Sequence, residues 1–108
     1  MRIAVIGSRT MALAFRLGGV SDVTEVFDGG EVDVGSARAR FRDLTADGDV
    51  GMVIVSSRVA DAIRRDIARH QDQKRLIPLV VELPDEGGES EDRVARVIRR
   101  AVGVDVTR

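Results

Sequence analysis

Few residues in this chain are of the types that carry chemistry, and their spacing narrows the choice further. His70 is the only histidine. A metal centre or a Ser-His-Asp arrangement would have to use it. Its spacing from Ile63 and Ile67 puts it at the edge of an apolar helix face, where a packing or surface role is expected. There is no cysteine, which excludes disulfides, thiolate ligands and thiol nucleophiles. What remains are two similar triplets, Gly7-Ser8-Arg9 and Ser56-Ser57-Arg58, each following an apolar run. Arg9 and Arg58 would form an anion pocket if both strand ends met there. Solvated arginines are the ordinary outcome at such positions. Residues 7 to 12 keep only the first glycine of a dinucleotide-binding turn, because Arg9 stands where a side chain blocks the pyrophosphate. No Walker lysine motif is present. No catalytic, cofactor-binding or metal-ligating residue is therefore assigned.

The elements around these triplets follow from pattern. Ile3 to Ile6 is a short apolar run rich in β-branched residues and stopped by Gly7, as expected of a strand buried on both faces of a parallel sheet. Ser8 or Thr10 caps a helix whose apolar face holds Met11, Ala12, Ala14, Phe15 and Leu17, and Gly18-Gly19 ends it. Val20 to Phe27 reads as a second strand, closed by Asp28-Gly29-Gly30. Glu31 to Gly35 reads as a loop. Ser36 then caps a helix over 37–46, with Ala37, Phe41 and Leu44 on one face. Val50 to Val55 is the third strand. A long helix from Val59 to Lys74 presents Val59, Ile63, Ile67 and His70 on one side. Ile77 to Leu83 is the fourth strand, with Pro78 near its start.

Composition shifts after Pro84. Residues 85–89 form an acidic, glycine-rich linker. Ser90 caps a last helix running to about Val102, within a tail of residues 90–108. Val94, Val97, Ile98 and Ala101 make its apolar stripe, and Arg93, Arg96, Arg99 and Arg100 lie around it. Burying Val94, Val97 and Ile98 would contribute roughly 1.5–3 kcal/mol each. The expected architecture is α/β. A globular domain over residues 1–84 holds a four-stranded parallel sheet in the order 2-1-3-4, flavodoxin- or Rossmann-like, with helices on both faces and a linked C-terminal helix.

Bulk properties exclude several classes. The chain has 108 residues, enough for one compact core. A net charge of -1 gives no field that would draw it to nucleic acid or a membrane surface. Three Phe, with no Trp or Tyr, leave no platform for stacking bases. No apolar run approaches the roughly 18 residues of a membrane span, and the first strand lacks a signal-peptide pattern. A phospho-acceptor receiver domain has the same order of elements, but it needs carboxylates at the strand ends that carry Gly7-Ser8-Arg9 and Ser56-Ser57-Arg58 here. A stand-alone flavodoxin-like small-ligand or phosphoryl-relay module is the alternative function class, and the same missing groups argue against it.

Five segments carry a resemblance: Met1 to Gly7, Ala14 to Val20, Gly51 to Val59, Leu76 to Pro84 and Ile98 to Val104. In order and spacing, they resemble the F subunit of the A-type/V-type rotary ATPase (ATP synthase). The chain departs most from that pattern at Asp28 to Gly35. The resemblance implies a non-catalytic, cofactor-free component of the central stalk, coupling ion translocation to ATP synthesis or hydrolysis. It implies the coiled-coil D subunit of the stalk and the A and B subunits of the catalytic head as partners. It also implies a peripheral place on the cytoplasmic face of a bacterial or archaeal membrane, touching the membrane only through the complex. Its C-terminal segment would be a mobile regulatory element. Arg93, Val94, Arg96, Val97, Ile98, Arg100 and Ala101 are the docking residues expected on that segment, whose apolar stripe faces either a partner or the chain's own sheet.

Overall fold

The computed structural model describes residues 1–85; the rest of the expected linker and the expected C-terminal helix, with all seven expected docking residues, lie outside the described residues. The first strand, β1 (Arg2–Gly7), is buried from Ala4 to Gly7. Ser8 turns it into α1 (Arg9–Leu17), its side chain accepting the N–H of Met11 at 3.3 Å. Gly18 caps α1, and Gly19 follows at a φ of 100°, a conformation glycine adopts without steric cost. Next come β2 (Asp22–Glu25), β3 (Phe27–Asp28) and β4 (Glu31–Val32), then α2 (Val34–Ala46) and β5 (Val50–Ser56). Two helical segments, α3 (Ser57–Ala62) and α4 (Arg64–Asp72), lead to β6 (Leu79–Leu83).

The sheet is parallel and runs β2-β1-β5-β6, which is the expected order when its four strands are counted along the chain. Right-handed crossovers place α1 on one face and α2, α3 and α4 on the other. The larger core lies on the second face, around Ile6, Phe41, Leu44, Val53, Ile63 and Ile67. The smaller lies under α1, around Val5, Met11, Phe15 and Ile54. At the amino end of the sheet, Arg2 bridges Asp22, Asp47 and Asp49 at 3.2, 2.9 and 3.2 Å. Arg40 also reaches Asp22. The hydrogen bonds to Asp47 and Asp22 raise the pKa of Arg2, and the N–H of Asp49 together with Arg2 lowers that of Asp47.

Several boundaries differ from the sequence expectation. The second strand stops at Glu25 rather than Phe27, and the expected loop is in part strand. Gly29 and Gly30 sit at φ 60° and 87°, the positive values of a type I′ turn, and they fold Phe27-Asp28 back on Glu31-Val32. Asp33, not Ser36, caps α2: its carboxylate accepts the N–H of Ser36 at 3.2 Å and its hydroxyl at 3.0 Å. The long third helix begins earlier, at Ser57, and is interrupted at Ile63 (φ -116°, ψ 27°). Both neighbouring i→i−4 bonds survive there, Ile63 N–H to Val59 O at 3.1 Å and Ile67 N–H to Ile63 O at 3.0 Å. The break thus forfeits little, while burying Ile63 is worth roughly 1.5–3 kcal/mol. Lys74 lies beyond α4 at a φ of 56°, the left-handed position that follows many helices. The last strand begins after the cis Ile77–Pro78 bond, at Leu79.

Candidate functional site

In an open parallel sheet, ligands bind beyond the carboxyl ends of the strands, so the two triplets mark the place to look. Gly7 is there for close packing: a Cβ would lie 2.7 Å from Sδ of Met11. Ser56 is fully buried, and its hydroxyl accepts the N–H of Val59 at 3.2 Å, capping α3 as Ser8 caps α1. The neighbouring Ser57 hydroxyl donates to the carbonyl of Leu83 at 3.1 Å, tying β6 to the start of α3.

The two arginines do different work. Arg9 lines a shallow recess with Leu13, Arg16 and Glu25. Arg58 turns instead to the hairpin, where its guanidinium donates to the carbonyl of Gly30 at 2.6 Å and lies 4.9 Å from the ring centroid of Phe27. The backbone N–H of Arg58 donates to Oδ2 of Asp85 at 2.6 Å. A carboxylate of the chain itself therefore occupies the first turn of α3, with favourable alignment to the helix dipole. Its second oxygen, Oδ1, is buried with no hydrogen-bond partner among the described residues. The anion pocket that Arg9 and Arg58 would form is not assembled in this arrangement. Arg58 is also not the freely solvated arginine expected at a strand end.

His70 is 6% exposed, so it belongs to the core and not to its edge. Its Nε2 lies 2.9 Å from the carbonyl of Pro78, which can only accept, so Nε2 carries the proton. The ring meets Phe41 edge-on at 6.1 Å. Among the described residues, no group of three or more His, Asp or Glu side chains is arranged to hold a metal ion. None of the described helices is long and apolar enough to cross a membrane.

Sequence reasoning missed two features of this region. One is the hairpin that Arg58 holds, although the Gly29-Gly30 pair between short strands was its signal. The other is the uneven cover of the sheet. On the α1 face, β6 presents Leu79, Val81 and Leu83, and Leu79 is 54% exposed. The alternation of these three residues was visible in the sequence, but that no helix among the described residues covers them was not.

The fold and its strand ends define a small α/β domain whose usual ligand position is closed by its own hairpin, helix caps and Asp85. The family described as ATP synthase (F/14-kDa) subunit matches residues 3–102 of the chain. The chain belongs to this family. It is 34% identical to the F subunit of the A-type ATP synthase of Methanococcus aeolicus, over 98% of this chain and 99% of the relative. It is 32% identical to the corresponding F subunit of Methanocaldococcus jannaschii, over 96% and 97%. With that of Pyrococcus abyssi it shares 29% identity over the full length of both.

Proposed function

We propose that the protein is a non-catalytic rotor component in the central stalk of an A/V-type ATP synthase, coupling ion translocation through the membrane to ATP synthesis or hydrolysis. The observation that carries this reading is the full-length likeness to proteins named as F subunits of the A-type ATP synthase. The closed strand ends support it. A domain whose ligand position is filled by Asp85 and whose Arg58 is committed to a hairpin is suited to presenting surfaces to protein partners.

In this reading the partners are the coiled-coil D subunit of the stalk and the A and B subunits of the catalytic head. The complex places the chain on the cytoplasmic face of the membrane, in contact with lipid only through other subunits. The C-terminal segment is the regulatory docking element. Its apolar residues Val94, Val97, Ile98 and Ala101 supply the contact, and Arg93, Arg96 and Arg100 meet acidic partner surface.

Affinity purification of the tagged chain from its native membranes tests the assignment. The expected result is a stoichiometric ATPase complex that loses coupled ATP synthesis when the chain is depleted and regains it on add-back. Recovery of the chain alone, with the ATPase intact and coupled in its absence, would overturn the reading.

A further inference from the structure

The anion pocket expected at the strand ends has a counterpart near the amino end of the sheet. A recess of about 250 Å³ lies between α2 and α4, on the outer side of the larger core. Four arginines line it: Arg38 and Arg42 from α2, Arg69 from α4, and Arg75 from the segment that follows. Among the described residues, Asp66 is the one carboxylate in its wall; Asp43 and Asp72, on the same two helices, are not part of it. The Asp66 side chain is 14% exposed and accepts from Nε of Arg38 at 3.1 Å and Nη1 of Arg69 at 3.5 Å. Arg75 donates to the carbonyl of Thr45 at 3.3 Å. The guanidinium of Arg42 has no hydrogen bond or ion pair among the described residues. The charge of the recess can be counted. Asp66 cancels one of the four guanidiniums. The recess also faces the last turns of both helices, and each helix C-terminus carries about half a negative charge. About two positive charges remain, in a chain whose net charge is -1.

A dianion balances that charge, and guanidinium forks suit the oxygens of phosphate and sulfate alike. His70 separates the two. It also lines the recess, it is 6% exposed, and its Nε2 proton is committed to the carbonyl of Pro78. Nδ1 therefore keeps a lone pair, with no partner among the described residues. A buried acceptor left without a donor is costly, so a ligand bringing an O–H is favoured there over one that brings none. Sulfate brings none, and neither does the dianion of a phosphate ester. The hydrogen phosphate dianion brings one. We infer that this recess binds inorganic phosphate as its hydrogen phosphate dianion. The arginines hold the anionic oxygens, and the P–O–H donates to Nδ1 of His70. Asp66, shared between Arg38 and Arg69, orients those two side chains toward the ligand. The site is independent of the assembly proposed above, because it concerns the chain by itself.

His70 is the only histidine, so its ring nitrogens give unambiguous signals in the full-length, nitrogen-15-labelled protein. Inorganic phosphate, sulfate and methyl phosphate are titrated in turn, at constant ionic strength and at a pH where each is a dianion. Phosphate should shift the Nδ1 signal upfield to saturation and bind about tenfold or more tightly than the other two, since only it supplies the donor. Arg42→Gln with Arg75→Gln should weaken phosphate about tenfold or more. Both side chains are exposed, so the fold should be kept. Arg9→Gln with Arg16→Gln, a basic pair on α1 across the sheet, should leave the affinity unchanged. Equal affinity for the three anions would make the recess an unselective basic patch and overturn the proposal. Tighter binding of methyl phosphate would make an ester the ligand and overturn it too. So would a titration with phosphate that shows no saturation, one that leaves Nδ1 unmoved, or equal losses from the two arginine pairs.

Discussion

Replacing Arg58 by Ala should loosen the β3–β4 hairpin while leaving the sheet intact. The side chain makes two contacts to that hairpin, the 2.6 Å bond to the Gly30 carbonyl and the stacking on Phe27 at 4.9 Å. A hydrogen bond from a charged donor is worth about 1.5–3 kcal/mol, and an exposed cation–π contact about 0.5–1. Arg58 is exposed, so solvent screens both and the lower values apply. A loss of about 1–2 kcal/mol is expected, confined to residues 26–33, because β3 and β4 pair with only two residues each. In hydrogen exchange this is about a 5- to 30-fold loss of protection. Two amides report it well: Asp33, bonded to the carbonyl of Val26, and Val26, bonded to that of Gly7. Amides of Val53 to Val55 should keep their wild-type rates. Arg58→Lys should recover part of the effect, since it keeps the charge but not the planar fork. Unchanged exchange at Asp33, or an equal rise in β5, would refute the idea that Arg58 acts as a local pin.

Further expectations rest on single features. Ser56→Ala removes the buried cap of α3 and should cost about 0.5–2 kcal/mol by denaturant titration, whereas Ser36→Ala should cost less because Asp33 is the true cap of α2. Leu44→Ala empties a site 1% exposed in the larger core and should cost about 2–5 kcal/mol, read from the same titration. The carboxyl of Asp47 has a folded pKa below its unfolded one, so its contribution is present above the ordinary carboxylate pKa of about 3.9 and disappears as pH falls through the folded value. Asp47→Asn should therefore melt below wild type at pH 7, with the gap closing toward pH 3. Truncation after Asp85 should still give one cooperative thermal transition, since β1 to β6 and the larger core lie before it.

The parallel sheet and its order were legible because short apolar runs such as Ile3 to Ile6 need cover on both faces. The stripe Val59, Ile63, Ile67 and His70 was legible for a related reason: burial selects side chains, and all four are buried even though the helix breaks at Ile63. The break itself leaves no mark in residue type, having neither Pro nor Gly. The hairpin was hidden because Phe27-Asp28 and Glu31-Val32 are too short to show alternation, which left only the glycine pair to announce it. Asp85 read as linker, since nothing local indicates that a carboxylate will find a helix start 27 positions earlier in the chain. The Arg2 cluster is likewise invisible to local reading, because Asp22 starts β2 while Asp47 and Asp49 lie in the distant turn between α2 and β5.

The two outer strands of the sheet also bear on how the protein behaves when it is made in quantity. An exposed strand edge is a template for fibril growth, and among the described residues β2 and β6 are both edges. β2 is four residues long and carries Asp22 and Glu25, which oppose addition of a further strand. β6 carries the more apolar edge, but Pro78 stands immediately before it and offers no N–H to an incoming chain, and Glu82 places a charge at its fourth residue. Arg64 holds Glu82 at 2.9 Å, so the charge at that edge is fixed in place. Pro78→Val combined with Glu82→Val would keep the strand pattern while removing both guards. That variant should form thioflavin-positive aggregates at concentrations where the wild-type chain stays dispersed.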